Sequence, residues 1–172
     1  VSRLPRVGIL ISGGGSNMAA LLAGMAEGRI SGEPAVVISN RPRAGGLARA
    51  EAAGVATRVV DHTAYPHDRE GFDAAIHAAL TDTGAEVVAC AGFMRVMTPV
   101  LTRPWAGRML NIHPSLLPLF PGLDTHARAL AAGVAIHGCT VHEVTEALDA
   151  GPILGQAAVA VTPGDTPGTL AA

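Results

Sequence analysis

The chain has 172 residues, room for one domain of ordinary size, and 49% of them are hydrophobic against 15% charged, a balance that excludes a disordered chain. A formal net charge of −2, with scattered arginines as the only fixed cations, argues against a nucleic-acid surface, and the absence of lysine excludes P-loop and Schiff-base chemistry. The longest apolar run, residues 87–94, falls far short of the roughly 18 residues of a membrane span.

In chain order, apolar runs alternate with Ala-rich segments of helical period. Residues 6–11 read as a buried strand. Residues 17–28 read as a helix with Ser16 or Asn17 as its N-cap and Met18, Leu21, Leu22 and Met25 on one face. A second strand is expected at 34–39, a second helix at 45–54 closed by a glycine, and a third strand at 55–60. A third helix is expected over 69–83, capped by Asp68, with Phe72, Ile76 and Leu80 spaced by four. Strands at 86–91 and 108–112 follow. This alternation predicts an α/β fold with a doubly wound, mostly parallel sheet. The pattern changes after His113: a Pro-rich loop at 113–125, a short helix at 126–133, then strands at 136–144 and 153–161 read as an antiparallel extension. Cys90 and Cys139 make no disulfide framework, which fits a reducing cytoplasm, and no secretory signal opens the chain.

Four segments carry chemistry-bearing residues. Ser12-Gly13-Gly14-Gly15-Ser16-Asn17 lies between the first strand and first helix, where an open α/β sheet binds ligands. Free N–H groups at a helix start suit a phosphate; a tight turn with a Ser cap fits the same residues. The dinucleotide pattern fails, because Met18 stands where its third glycine is needed. Asn111 and His113, two apart at a strand end, point to one face, and Pro114 favours an extended His113. An amide beside an imidazole can stabilise a developing oxyanion and move protons, although a lone His at a strand end is also an ordinary structural residue. Asp149, in the turn Leu148-Asp149-Ala150-Gly151-Pro152, either serves its own turn or reaches His113. Gly92 to Met97 leaves the sheet on the same edge as the Gly loop, and its apolar side chains and open backbone groups suit either a slot for a flat ring or core packing. His137, Cys139 and His142 alternate across a strand and do not converge, so zinc is rejected. Arg69 alone reads as a surface residue.

Together these segments resemble the phosphoribosylglycinamide formyltransferases, a family of formyl-folate transferases of purine synthesis. The resemblance rests on Ile11 through Asn17, Ala91-Gly92-Phe93-Met94-Arg95, Leu110 through Pro118, Phe120-Pro121-Gly122, His137-Gly138 and Leu148 through Pro152, all in family order. It implies catalytic roles for Asn111, His113 and Asp149, and phosphate binding by Gly15, Ser16 and Asn17. It assigns Arg69, Met94, Arg95, Val96, Met97 and Asn111 to the formyl-folate. The turn from Thr145 to Asp149 would lie beside the folate ring. The implied substrates are 10-formyltetrahydrofolate and glycinamide ribonucleotide, with no metal, nucleic acid or membrane partner, in a monomer or homodimer.

Two relatives with the same trio are set apart by architecture. Formyltetrahydrofolate hydrolase carries an extra N-terminal domain, and methionyl-tRNA formyltransferase a C-terminal RNA-binding one; neither domain is expected here. A non-catalytic binding module would keep the Gly loop without needing the trio. Leu119 departs from a position that is often polar or basic in relatives. Residues 1–172 are expected to form a single formyltransferase domain that lacks the C-terminal helix and tail of its relatives.

Overall fold

Ile9, Leu10 and Ile11 expose nothing to solvent, the mark of a strand covered on both faces. They end β1 (Arg6–Ile11), which pairs in parallel with β2 (Glu33–Ser39) and with β4 (Val87–Cys90), while β2 pairs in parallel with β3 (Thr57–Val59). The computed structural model describes residues 3–172, in two compact units, one ending at Leu110 and the other spanning Asn111–Ala172, and β5 is Met109–His113.

In the first unit the strand order is β3-β2-β1-β4. Parallel neighbours need crossover connections, and α1 (Ser16–Ala26), α2 (Gly45–Ala52) and α3 (Arg69–Asp82) lie in those connections. Met18 and Leu22, four apart on α1, join Ala50 of α2 and Ile9, Ile11 and Val37 of the sheet in one buried cluster. Phe72, Ile76 and Leu80 are all buried, as their spacing predicts. Asp68 caps α3, accepting from the Gly71 N–H at 2.8 Å.

Three local expectations are corrected. The cap of α1 is Gly15, left-handed at φ 73°, with no side-chain cap from Ser16 or Asn17; the helix begins at Ser16 itself. The strand expected from 55 starts at Thr57, because the Val55 N–H is spent closing α2, bonding the Ala50 carbonyl at 3.0 Å beyond a left-handed Gly54. A four-residue helix, α4 (Pro99–Thr102), and a 3-10 turn at His62–Ala64 were not anticipated, since neither is long enough to show a period.

In the second unit β5 is followed in the sheet by β6 (Ile136–Glu143) and β7 (Ile153–Ala160), with α5 (Thr125–Ala131) before β6 and α6 (Pro167–Ala171) after β7. β6 and β7 pair antiparallel, Ile136 opposite Ala160, with a register shift between Val141 and His142. The fold class is therefore the one read from the sequence: α/β, a mostly parallel sheet with antiparallel C-terminal strands. Among the described residues no helix is long and apolar enough to cross a membrane.

Candidate functional site

In the first unit the candidate residues gather after β1 and β4. Gly15 needs to be glycine twice over: its φ is left-handed, and a Cβ there would stand 2.8 Å from Gly46 Cα. Gly46 is equally tight, a Cβ meeting Ile11 Cδ1 at 2.5 Å, and its N–H donates to the Gly13 carbonyl at 3.0 Å. The loop and the start of α2 thus touch backbone to backbone. Gly13 and Gly14 differ, since a Cβ on either meets nothing within 4 Å. They face open space beside a helix start whose N–H groups no side chain caps, which is the chemistry a small anion needs.

The segment after β4 is tied to this loop. Buried Ser12 donates its N–H to the Gly92 carbonyl at 3.0 Å and accepts the Met94 N–H on Oγ at 2.7 Å. Arg69 Nη2 donates to the Val96 carbonyl at 2.9 Å. The Phe93 ring stacks on Phe72 at 6.5 Å, and the Arg95 guanidinium lies 5.7 Å over the same Phe72 ring. Met94 and Val96 remain 62% and 56% exposed. The expected apolar surface is present, but the backbone groups expected to be open are partly used, the Met94 N–H by Ser12 and the Val96 carbonyl by Arg69. Arg69 is therefore no free surface arginine.

In the second unit β5 and the turn before β7 bring Asn111, His113 and Asp149 together. His113 is buried, and its Nδ1 stands 3.5 Å from Asp149 Oδ2. Its Nε2 lies 3.0 Å from the Phe120 carbonyl, an acceptor only, so Nε2 carries a proton. Nδ1 then faces the Asp149 carboxylate. Asp149 itself adopts a left-handed φ of 50° and accepts the Gly122 N–H at 2.9 Å. The loop after His113 is pinned from β6 and β7. Thr140 Oγ1 donates to the Ser115 carbonyl at 2.7 Å and accepts the Leu117 N–H at 3.0 Å, and Gln156 Nε2 donates to the Leu117 carbonyl at 2.9 Å.

His142 is the residue that sequence reasoning missed, having weighed it only as a metal ligand. It is buried, with Nδ1 at 2.9 Å from the Glu143 carbonyl, Nε2 at 3.2 Å from Asn111 Nδ2 and at 3.8 Å from Asp149 Oδ1. The carbonyl requires Nδ1–H, so a neutral ring accepts on Nε2 and fixes which way the Asn111 amide points. His137 goes elsewhere, its ring edge-on to Phe120 at 6.2 Å and to His126 at 5.2 Å, and burial holds His126 below the usual histidine range. Among the described residues no group of three His, Cys, Asp or Glu is placed to hold a metal ion.

Residues 5–172 match the family described as formyl transferase. The chain is 48% identical over 165 residues to the human trifunctional purine biosynthetic protein adenosine-3, covering 96% of this chain but only 16% of that protein. It is 44% identical over 158 residues to phosphoribosylglycinamide formyltransferase of Escherichia coli, covering 92% of this chain and 74% of the relative. The crystal structure of glycinamide ribonucleotide transformylase 1 from Symbiobacterium toebii superposes with a TM-score of 0.96 at 49% identity, covering 99% of this chain and 80% of that one. With nearly its whole length matched and the fold shared, the chain belongs to the formyl transferase family.

Proposed function

We propose that the chain transfers the formyl group of 10-formyltetrahydrofolate to the amine of glycinamide ribonucleotide, a step of purine synthesis. The observation that carries this reading is the meeting of Asn111, His113 and Asp149, with Asp149 3.5 Å from His113. The names of the bacterial relatives support it.

The substrate amine, in its neutral form, attacks the formyl carbon, and the carbonyl oxygen takes up negative charge. Asn111 keeps one amide N–H free of His142 to donate to that oxygen, and cationic His113 adds its charge. A proton then leaves the amine and another reaches the folate nitrogen as its bond to carbon breaks. His113 carries this transfer: the cationic ring gives a proton to the folate nitrogen, and the neutral ring so formed takes the one the amine releases, with Asp149 holding the ring in place. The His113 Nε2–H is engaged by the Phe120 carbonyl, so transfer at that nitrogen requires this carbonyl to release it. Phe120 sits at a left-handed φ of 52°, a conformation that costs a non-glycine residue about 1 kcal/mol. The amides of Gly15, Ser16 and Asn17 hold the phosphate, and Arg69 with Met94 through Met97 receives the folate. No lysine is available to the phosphate, so main-chain N–H groups, hydroxyls and arginine must suffice.

The test is to supply both substrates and follow folate deformylation. Turnover is expected only when the ribonucleotide is present. Deformylation that proceeds equally without it would assign a hydrolase, and folate binding without any turnover a binding module.

A further inference from the structure

Asp73 is a carboxylate that the reaction does not use, yet it is only 1% exposed. It lies four residues after Arg69 on α3, so the two side chains project from one face of the helix. Asp73 Oδ2 accepts the Thr98 N–H at 2.5 Å, and Arg69 Nη2 donates to the Val96 carbonyl at 2.9 Å. One side chain takes an N–H and the other supplies one to a carbonyl, at two points of the same segment. Phe72, between them in sequence, stacks on Phe93. Main-chain bonds anchor the two ends of this segment, Ala91 and Gly92 to β1 and its loop and the Thr98 carbonyl to the first N–H groups of α4; between those ends the Ser12, Arg69 and Asp73 side chains tie it down.

Burial pushes the Asp73 carboxyl above its usual range, against the Thr98 hydrogen bonds and the charges of Arg69 and Arg95, which pull it down. The sign follows from linkage. A carboxyl raised on folding favours the folded state most below its unfolded value of 3.8, and that contribution is lost as pH rises to the folded value. At neutral pH the charge is therefore a net cost to stability. The carboxylate is thus a buried charge held in place by the Thr98 N–H and by the charges of Arg69 and Arg95.

We infer that Asp73 is a positioning residue for the formyl donor: with Arg69 it sets the backbone of Met94 through Met97 in the shape that receives the folate ring. The inference rests on the assignment of that segment to the folate. Asp73 acts through the Thr98 amide, by a hydrogen bond whose strength comes from its charge.

The experiment uses the full chain and its Asp73→Asn and Asp73→Ala variants. The Asn variant is expected to raise the KM for 10-formyltetrahydrofolate about tenfold, the worth of a charge-assisted bond. The ribonucleotide KM and kcat should stay within about twofold, and the urea midpoint at neutral pH should be unchanged or higher. The Ala variant should bind the folate more weakly still. The Thr98 amide of the unaltered chain should be protected from hydrogen exchange, a reading that needs no variant to fold. Equal rises in both KM values, a lowered midpoint with folate KM intact, or an unprotected Thr98 amide would overturn the inference. Equilibrium binding of 10-formyltetrahydrofolate separates the two levels. No binding by the unaltered chain overturns the folate assignment and this inference together, whereas binding unchanged by Asp73→Asn overturns the role of Asp73 alone.

Discussion

After β1 the groups free to meet a ligand belong to the main chain. Gly13 and Gly14 leave open space, Gly15 turns the backbone, and the first amides of α1 have no side-chain cap. After β5 the candidate groups are side chains, an amide, two imidazoles and a carboxylate joined in turn by contacts of 3.2, 3.5 and 3.8 Å. The two regions differ because their proposed tasks differ. A phosphate that takes no part in the reaction keeps its charge, so fixed dipoles can serve it without a group that changes protonation. A formyl transfer moves protons, which only groups that change protonation can follow. The contrast teaches that glycine and a helix start can make a site with almost no side-chain signature, whereas a reacting site names its residues.

The sharpest way to break the contrast is at His113. His113→Ala should lower turnover by about a thousandfold, with the circular dichroism spectrum unchanged. A rate near that of the unaltered chain would show that the proton path does not need this side chain. Next is Gly15→Ala, which adds a Cβ at φ 73° and 2.8 Å from Gly46 Cα. It should cost about 2 kcal/mol or more in urea unfolding. Gly14→Ala separates binding from folding, because its Cβ meets nothing within 4 Å. Stability should hold within about 0.5 kcal/mol while the ribonucleotide KM rises about tenfold, through lost close approach of the ligand. The smallest effect is expected for Asn17→Ala, an exposed side chain beside a main-chain site, whose KM should change by less than about threefold. A loss there as large as at Gly14 would mean that side chains hold the phosphate after all.

The same contrast decides what was legible in the sequence. The period of Phe72, Ile76 and Leu80 and the cap at Asp68 are local, and both were found. Asn111 and His113 share a face because they are two apart on one strand, which needs no tertiary knowledge. The reach of Asp149 to His113 depends on a left-handed turn and on the course of β6 and β7, and spacing carries neither. His142 was visible as a histidine but not as a neighbour of Asn111, since strand pairing rather than period brings them together. Asp73 was not singled out in the sequence, where nothing marks it apart from any other acid on a helix. Only the segment after β4, folding back on α3, makes it a buried one. At Gly15 the error was of another kind: polar Ser16 and Asn17 look like caps, but a left-handed glycine starts the helix without one.

The Ser12 hydroxyl has a thermodynamic consequence. It accepts the Met94 N–H at 2.7 Å while its own residue opens the Gly loop, so one buried atom belongs to both ligand-facing segments of the first unit. A ligand that orders either segment lowers the entropy the other must lose. By reciprocity the effect is the same in both directions. The hydroxyl's share is that of one hydrogen bond, about 1 kcal/mol or roughly fivefold in affinity, beside the main-chain bond from the Ser12 N–H to the Gly92 carbonyl. Ser12→Ala would remove the hydroxyl link and leave the main-chain one, so any coupling of the two binding equilibria should weaken by about that amount.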